Sequence, residues 1–193
     1  MDALRERVGR HHANAAVRFV LGDCNEATEQ ILHAARDLAS RQKQLTFCYV
    51  DPRGADFSFS TLTKLEAAFG RVDFLILLAL WMDIRRNEGI YTDENDQTID
   101  NLLGDAGWRL RWNEAKARKV KFGRFVAEEF ASRMLHLEYL PAPKAQWKEI
   151  STSAKGLPLY HLLFFSKNKL GYKFWKDVLK YAADQGNLDL DIQ

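Results

Sequence analysis

The sequence predicts an α/β fold built on a mainly parallel sheet with flanking helices, and three observations predict it. Apolar, β-rich runs recur at 17–23 (VRFVLGD), 45–51 (LTFCYVD) and 72–80 (VDFLILLAL), separated by stretches of helical periodicity. That strand, helix, strand rhythm is the signature of right-handed crossovers between parallel strands. The second and third runs are apolar almost throughout, as expected of strands covered on both faces.

Each element has its own local reason. The run 17–23 is closed by Gly22 and Asp23, and Asn25 is a plausible cap for a helix that places Ala27, Ile31, Ala34, Ala35 and Leu38 on one face. The strand 45–51 stops at Asp51, Pro52 and Gly54, residues that end strands and make turns. A helix follows from about Ser60 to Phe69 and ends at Gly70. Beyond residue 80 the pattern changes. Residues 91–100 carry four acids and no base, whereas 109–124 carry seven Lys or Arg and one acid. The region 82–135 therefore reads as a charged, mostly helical elaboration of a single domain spanning 1–193. Helical periodicity returns through Phe122, Phe125, Val126, Phe130 and Met134, and PAPK at 141–144 breaks it. A strand at 159–166 (LYHLLFFS) precedes an amphipathic helix stopped by Gly186, and a strand somewhere in 136–153 is expected to pair with it antiparallel.

Composition narrows the function classes. The hydrophobic content of 47% suits a packed core, and the net charge of +2 confines attraction to polyanions to local patches. The longest apolar run is far shorter than the roughly 20 residues that span a bilayer, and 1–12 has no apolar signal core, so a cytoplasmic chain without a membrane partner is expected. Cys24 and Cys48 have neither CxxC spacing nor nearby His ligands, which points to reduced thiols and no metal site. His11 and His12 are read as terminal surface residues, and His33, His136 and His161 have no partner at ligand spacing.

The strand ends carry the candidate chemistry. In open parallel sheets ligands bind beyond the carboxyl ends of the strands. Those ends are Asp23 with Asn25, Asp51 with Arg53, and Trp81 with Asp83. Each Asp equally suits a helix cap or turn, so the coincidence of three carries more weight than any one.

The segments GDCNEATEQIL, FCYVDPRG, VDFLILLALW, LLGDAGW and PLYHLLFFSKNKLG resemble the three-Cys-motif partner (TcmP) family, whose members look like class I S-adenosylmethionine-dependent methyltransferases. The resemblance covers about 17–180, through Gly22, Asp23 and Asn25, then Asp51, Pro52 and Gly54, Gly104 and Trp108, and Leu159, Tyr160, Ser166 and Lys167. It implies a Rossmann-like fold in which Asp23 and Asn25 touch the adenine of S-adenosylmethionine. It further implies that Asp51 and Pro52 orient an acceptor amino group, with nucleic acid as the substrate class. In that fold the strands lie in the order third, second, first, fourth, fifth, seventh, sixth. The family's Gly-rich turn and acidic strand end would fall before residue 17, where only Gly9 occurs and no strand-turn-helix is legible, so the first two strands and much of the cofactor cradle are missing. Strand neighbours lie about 4.8 Å apart, so the gap must be closed. A protein partner, a second copy of the chain, or direct pairing of 17–23 with 45–51 would close it, and the last is preferred for an isolated chain.

The rival reading is a non-catalytic module of the same descent that binds protein or nucleic acid. Arg109, Arg111, Arg118, Lys119 and Lys121 are its candidate phosphate contacts, with Trp108, Trp112 and Phe122 interleaved to stack on bases. A solvated helix face, or neutralisation by the acidic stretch before it, accounts for the same charges. Trp81, Trp147 and Trp175 are candidates for a partner face.

Overall fold

Four strands form one sheet in the order β1-β2-β4-β3, with β1 at Thr46–Val50, β2 at Val72–Leu78, β3 at Lys148–Ser151 and β4 at Pro158–Phe165. The computed structural model describes residues 2–11, 16–38, 45–79, 83–144, 147–151 and 158–184. The chain divides into two compact units, Met1–Leu45 and Thr46–Gln193.

The first unit holds α1 (Asp2–His11) and α2 (Thr28–Leu38). The expected strand at 17–23 is not formed: the run is irregular, with Leu21 79% exposed. An apolar run becomes a strand only where a ladder receives its backbone groups. This unit has no strand among its described residues, and β1 is bonded to β2 alone. With 17–23 irregular the anticipated strand to pair with 45–51 does not form, and among the described residues β1 is at the edge of the sheet.

The second unit carries the sheet. The chain passes from β1 through α3 (Phe59–Phe69) to β2, where the crossover makes the one parallel pair, Thr46 opposite Val72 through Val50 opposite Ile76. Ser58 caps α3 by accepting from the Ser60 N–H, and Gly70 at φ 71° ends it by donating to the Glu66 carbonyl. Four helices then intervene, α4 (Glu88–Tyr91), α5 (Thr98–Leu103), α6 (Trp108–Ala117) and α7 (Phe122–His136), where the sequence predicts a helical elaboration. β3 and β4 are antiparallel to each other, as expected, and β4 enters antiparallel beside β2. The sheet is consequently mixed and mostly antiparallel rather than mainly parallel. Its last two strands are joined by a link too short for a helical crossover.

Two layers cover the sheet. Phe74, Ile76, Leu163 and Phe165 share one face, where Phe130 of α7 sits 5.9 Å from Phe165 and 5.7 Å from Phe59 of α3. Tyr139 joins this layer by packing on Phe74 and donating to the Val72 carbonyl at 3.0 Å. On the opposite face Phe164 stacks on Trp175 and meets Tyr172 edge-on, both from α8 (Lys169–Asp184). A second aromatic cluster, Trp108, Trp112, Phe122 and Phe125, locks α6 to α7. These rings are buried, so Trp108, Trp112 and Phe122 hold helix to helix instead of facing a base. Among the described residues no helix is long and apolar enough to cross a membrane.

Candidate functional site

The carboxyl ends of β1 and β2 define the rim to inspect. Antiparallel β4 and β3 bring His161 opposite Leu78, the last residue of β2, and Glu149 opposite His161. Groups from all four strands therefore stand along this rim.

Asp51 follows β1 and is exposed, with Pro52 half-buried behind it. Burial and then the Asp51 charge push the Tyr49 phenol up from its ordinary value. Asp83 is the better-held carboxylate. Its Oδ2 accepts from the Ala55 N–H at 2.9 Å and from the Tyr91 hydroxyl at 2.8 Å, while Oδ1 accepts from Asn87 Nδ2 at 2.6 Å. Tyr91 is pushed up to about 12, first by burial and then by its hydrogen bond to Asp83. Through Ala55 the carboxylate after β2 pins the loop after β1. Gly54 explains the tightness, because a Cβ there would lie 2.6 Å from Asp83 Oδ2.

In the first unit Asp23 serves its own turn. Its Oδ1 accepts from the Asn25 N–H at 2.8 Å, and its carbonyl accepts from the Glu26 and Ala27 N–H groups just ahead of α2.

The predicted basic segment separates into two groups. Arg109 pairs with Asp100 and donates to the carbonyls of Asp93 and Asp96, so the acidic stretch does neutralise part of the basic one. Arg111 bridges Asp105 and Glu129, whose hydrogen bonds hold its guanidinium above its ordinary pKa. Arg118, Lys119 and Lys121 instead line a cavity of about 610 Å³, together with Arg85, Arg124 and Lys144. Only two acids, Glu128 and Glu149, line it as well. Burial raises the Glu128 pKa, but hydrogen bonds and charge from Lys144 and Arg124 outweigh it and leave the carboxylate ionised. His161 and Trp147 complete the wall, and neither His161 Nδ1 nor Trp147 Nε1 has a hydrogen-bond partner among the described residues. Burial lowers the His161 pKa, and Glu149, 3.6 Å away, pulls in the other direction without prevailing.

Local backbone aims the cations. The turn from α6 to α7 closes with Lys119 and Val120 donating to the carbonyls of Lys116 and Ala115, and Lys119 sits at φ 60°. Non-glycine residues rarely adopt this left-handed conformation. Lys121 then takes the N-cap position of α7, and Gly123 and Arg124 also line the cavity.

Sequence reasoning did not single out Arg85, Arg124, Lys144, Glu128, Glu149 or the tyrosine and asparagine that serve Asp83. Of these Glu149 alone comes from β3, set beside His161 of β4, and only the sheet order reveals that the two reach the same cavity as Arg85, Arg124 and Lys144. Trp147 lies on the cavity wall, Trp175 packs on Phe164, and Trp81 and His12 fall outside the described residues. No family model, curated protein or solved structure matches this chain.

The Gly54–Asp83 approach generates a double-mutant prediction. Gly54→Ala and Asp83→Ala are each expected to destabilise the protein by about 1–3 kcal/mol, the first by overpacking and the second by stranding buried donors. Removing Asp83 also removes what the new methyl strikes. The double variant should therefore be less destabilised than the sum by about 1 kcal/mol in urea unfolding, and strict additivity would refute the contact.

Proposed function

We propose that this protein is a nucleic-acid-binding module of methyltransferase-like descent, with backbone phosphates held in the basic cavity. The observation that carries this reading is the lining itself, six cationic side chains against two acidic ones around about 610 Å³. Arg118 and Lys119 are exposed, and no carboxylate among the described residues is paired with them. Phosphates that bind such groups release counterions and draw affinity from the field of the cavity. A cytoplasmic location accords with this reading, in keeping with Cys24 and Cys48 standing outside any disulfide among the described residues.

Descent is supported by strand order. β1-β2-β4-β3, with β4 antiparallel, has the pattern of the fourth, fifth, seventh and sixth strands of the methyltransferase sheet. The leading reading assigns S-adenosylmethionine no part, on the duties of the residues expected to hold it. Asp23 closes its own turn, and the first unit offers no strand that could carry a Gly-rich turn at its end.

A second reading keeps the enzyme. Asp51 stands exposed beyond β1, and among the described residues the outer edge of β1 has no strand beside it, so a partner segment or a second copy could complete the sheet there. Calorimetric titration with S-adenosylmethionine separates the readings. The binding-module reading expects no heat from this chain, and saturable heat would restore the methyltransferase.

Two variants test the leading reading. Reversing Arg118, Lys119 and Lys121 to Glu is expected to abolish single-stranded DNA or RNA binding at moderate salt. Their conservative replacement by Gln should lower the slope of log K against log salt by about 2, at roughly 0.7 for each phosphate lost. An unchanged slope would remove the cavity from consideration.

Lys119→Gly relaxes the left-handed backbone and should stabilise the fold by about 1 kcal/mol while weakening nucleic-acid binding. Thermal unfolding and a binding titration on the same sample check the opposed signs.

A further inference from the structure

We infer that the basic cavity and a smaller recess beside it together take one nucleotide unit, its phosphate among the cations and its base against Trp147. The inference rests on the nucleic-acid reading above and specifies what the site recognises.

The recess, about 220 Å³, is lined by Ala131, Leu135, Pro141 and Ala142 with Ser132, and shares Glu128, Lys144 and Trp147 with the cavity. The two lobes thus differ in chemistry across a common wall. One is crowded with cations, and the other brings no cation of its own beyond the shared Lys144. Phosphate and base differ in the same sense. Sites for small ligands commonly enclose about 300–1,000 Å³, which the larger lobe satisfies.

The shared wall sorts the ligand's two ends. Glu128 is fixed by Arg124 at 2.8 Å and Lys144 at 2.5 Å and stays ionised, so it repels a phosphate from the recess and leaves it to the Arg118 and Lys119 end. The backbone N–H of Trp147 donates to the Lys144 carbonyl at 3.1 Å and holds the residue in place. Its Nε1 is shut away from solvent, so the part of the indole that faces the lobes is carbon surface. Carbon surface recognises a base by stacking and tolerates any base, as a module without sequence readout requires.

The test titrates the full chain with a nucleoside 5′-monophosphate, ribose 5-phosphate and inorganic phosphate, following binding by calorimetry and by displacement of a labelled oligonucleotide. The mononucleotide should displace the oligonucleotide and bind about tenfold tighter than ribose 5-phosphate, the gain expected from one stacked base. Trp147→Ala should erase that gain and Trp147→Phe should keep it, since Nε1 makes no hydrogen bond to lose. Should Trp147→Ala fail to fold, Ala131→Phe fills the recess and should erase the same gain. Equal affinity for mononucleotide and ribose 5-phosphate in the wild type, or a gain that survives both variants, overturns the inference. If the oligonucleotide still binds in that case, the nucleic-acid reading stands without it; if the oligonucleotide never binds, both fall.

Discussion

Phe130 sets the geometry on which the rest depends. It is fully buried between Phe59 of α3 and Phe165 of β4, and so presses α7 flat onto the face shared by β2 and β4. Burying such a ring is worth roughly 1.5–3 kcal/mol, and the cost of a cavity in its place would exceed that. Once the middle of α7 is fixed, its N-terminal turn has to lie near the ends of the strands, where His161 faces Leu78. The α6–α7 turn delivers Arg118, Lys119 and Lys121 to that turn, and the Trp112–Phe122 and Trp112–Phe125 contacts keep it from swinging away. A hydrophobic constraint in the core thereby places a set of charges at the rim.

The fate of each cation follows from what its helix turn can reach. Arg109 and Arg111 lie near the start of α6, within reach of Asp100, Asp105 and Glu129, and are consumed in holding the elaboration together. These pairs are partly buried, and Arg109 also donates to the carbonyls of Asp93 and Asp96 in the turn between α4 and α5. Arg118 and Lys119 occupy the far end of α6, past the last acid of that helix, Glu114. Placing Lys at φ 60° costs backbone energy that a glycine would not incur. Sites that tolerate such strain are often functional, and here the strained residue is also one that lines the cavity.

Much of this was legible in the sequence, for physical reasons that also mark its limits. The strands 45–51, 72–80 and 159–166 are long, apolar and punctuated by Gly, Pro and Asp, and each forms close to its expected bounds. The run 17–23 has the same local character but no ladder to join, and ladders are not written in a single segment. That the sheet is mostly antiparallel follows from β4 inserting antiparallel between β2 and β3, a placement that no single segment's own pattern specifies. Among the strand-end carboxylates the sequence drew no distinction, whereas the fold separates them. Asp23 serves a turn, Asp83 clamps a loop, and Asp51 is left exposed at the end of β1. The basic segment was visible as a run of charge. Its division into paired and cavity-lining members required knowing which acids fold back on it.

The residues that carry the family resemblance prove to have local structural duties, which bears on how far a resemblance can reach. Gly54 makes room for Asp83, and Gly104 ends α5 in a left-handed conformation, where a Cβ would lie 3.1 Å from Phe59. Trp108 is buried and donates to Asp100 at 2.7 Å; Ser166 accepts from the Asn168 N–H ahead of α8, and Lys167 pairs with Glu66 at 2.7 Å. Residues under such constraints persist because the fold needs them, whatever the site beside them does. Function must therefore be argued from groups the fold does not require. Arg118 and Lys119 are groups of that kind, which is why the proposed function rests on the cavity rather than on the residues of the resemblance.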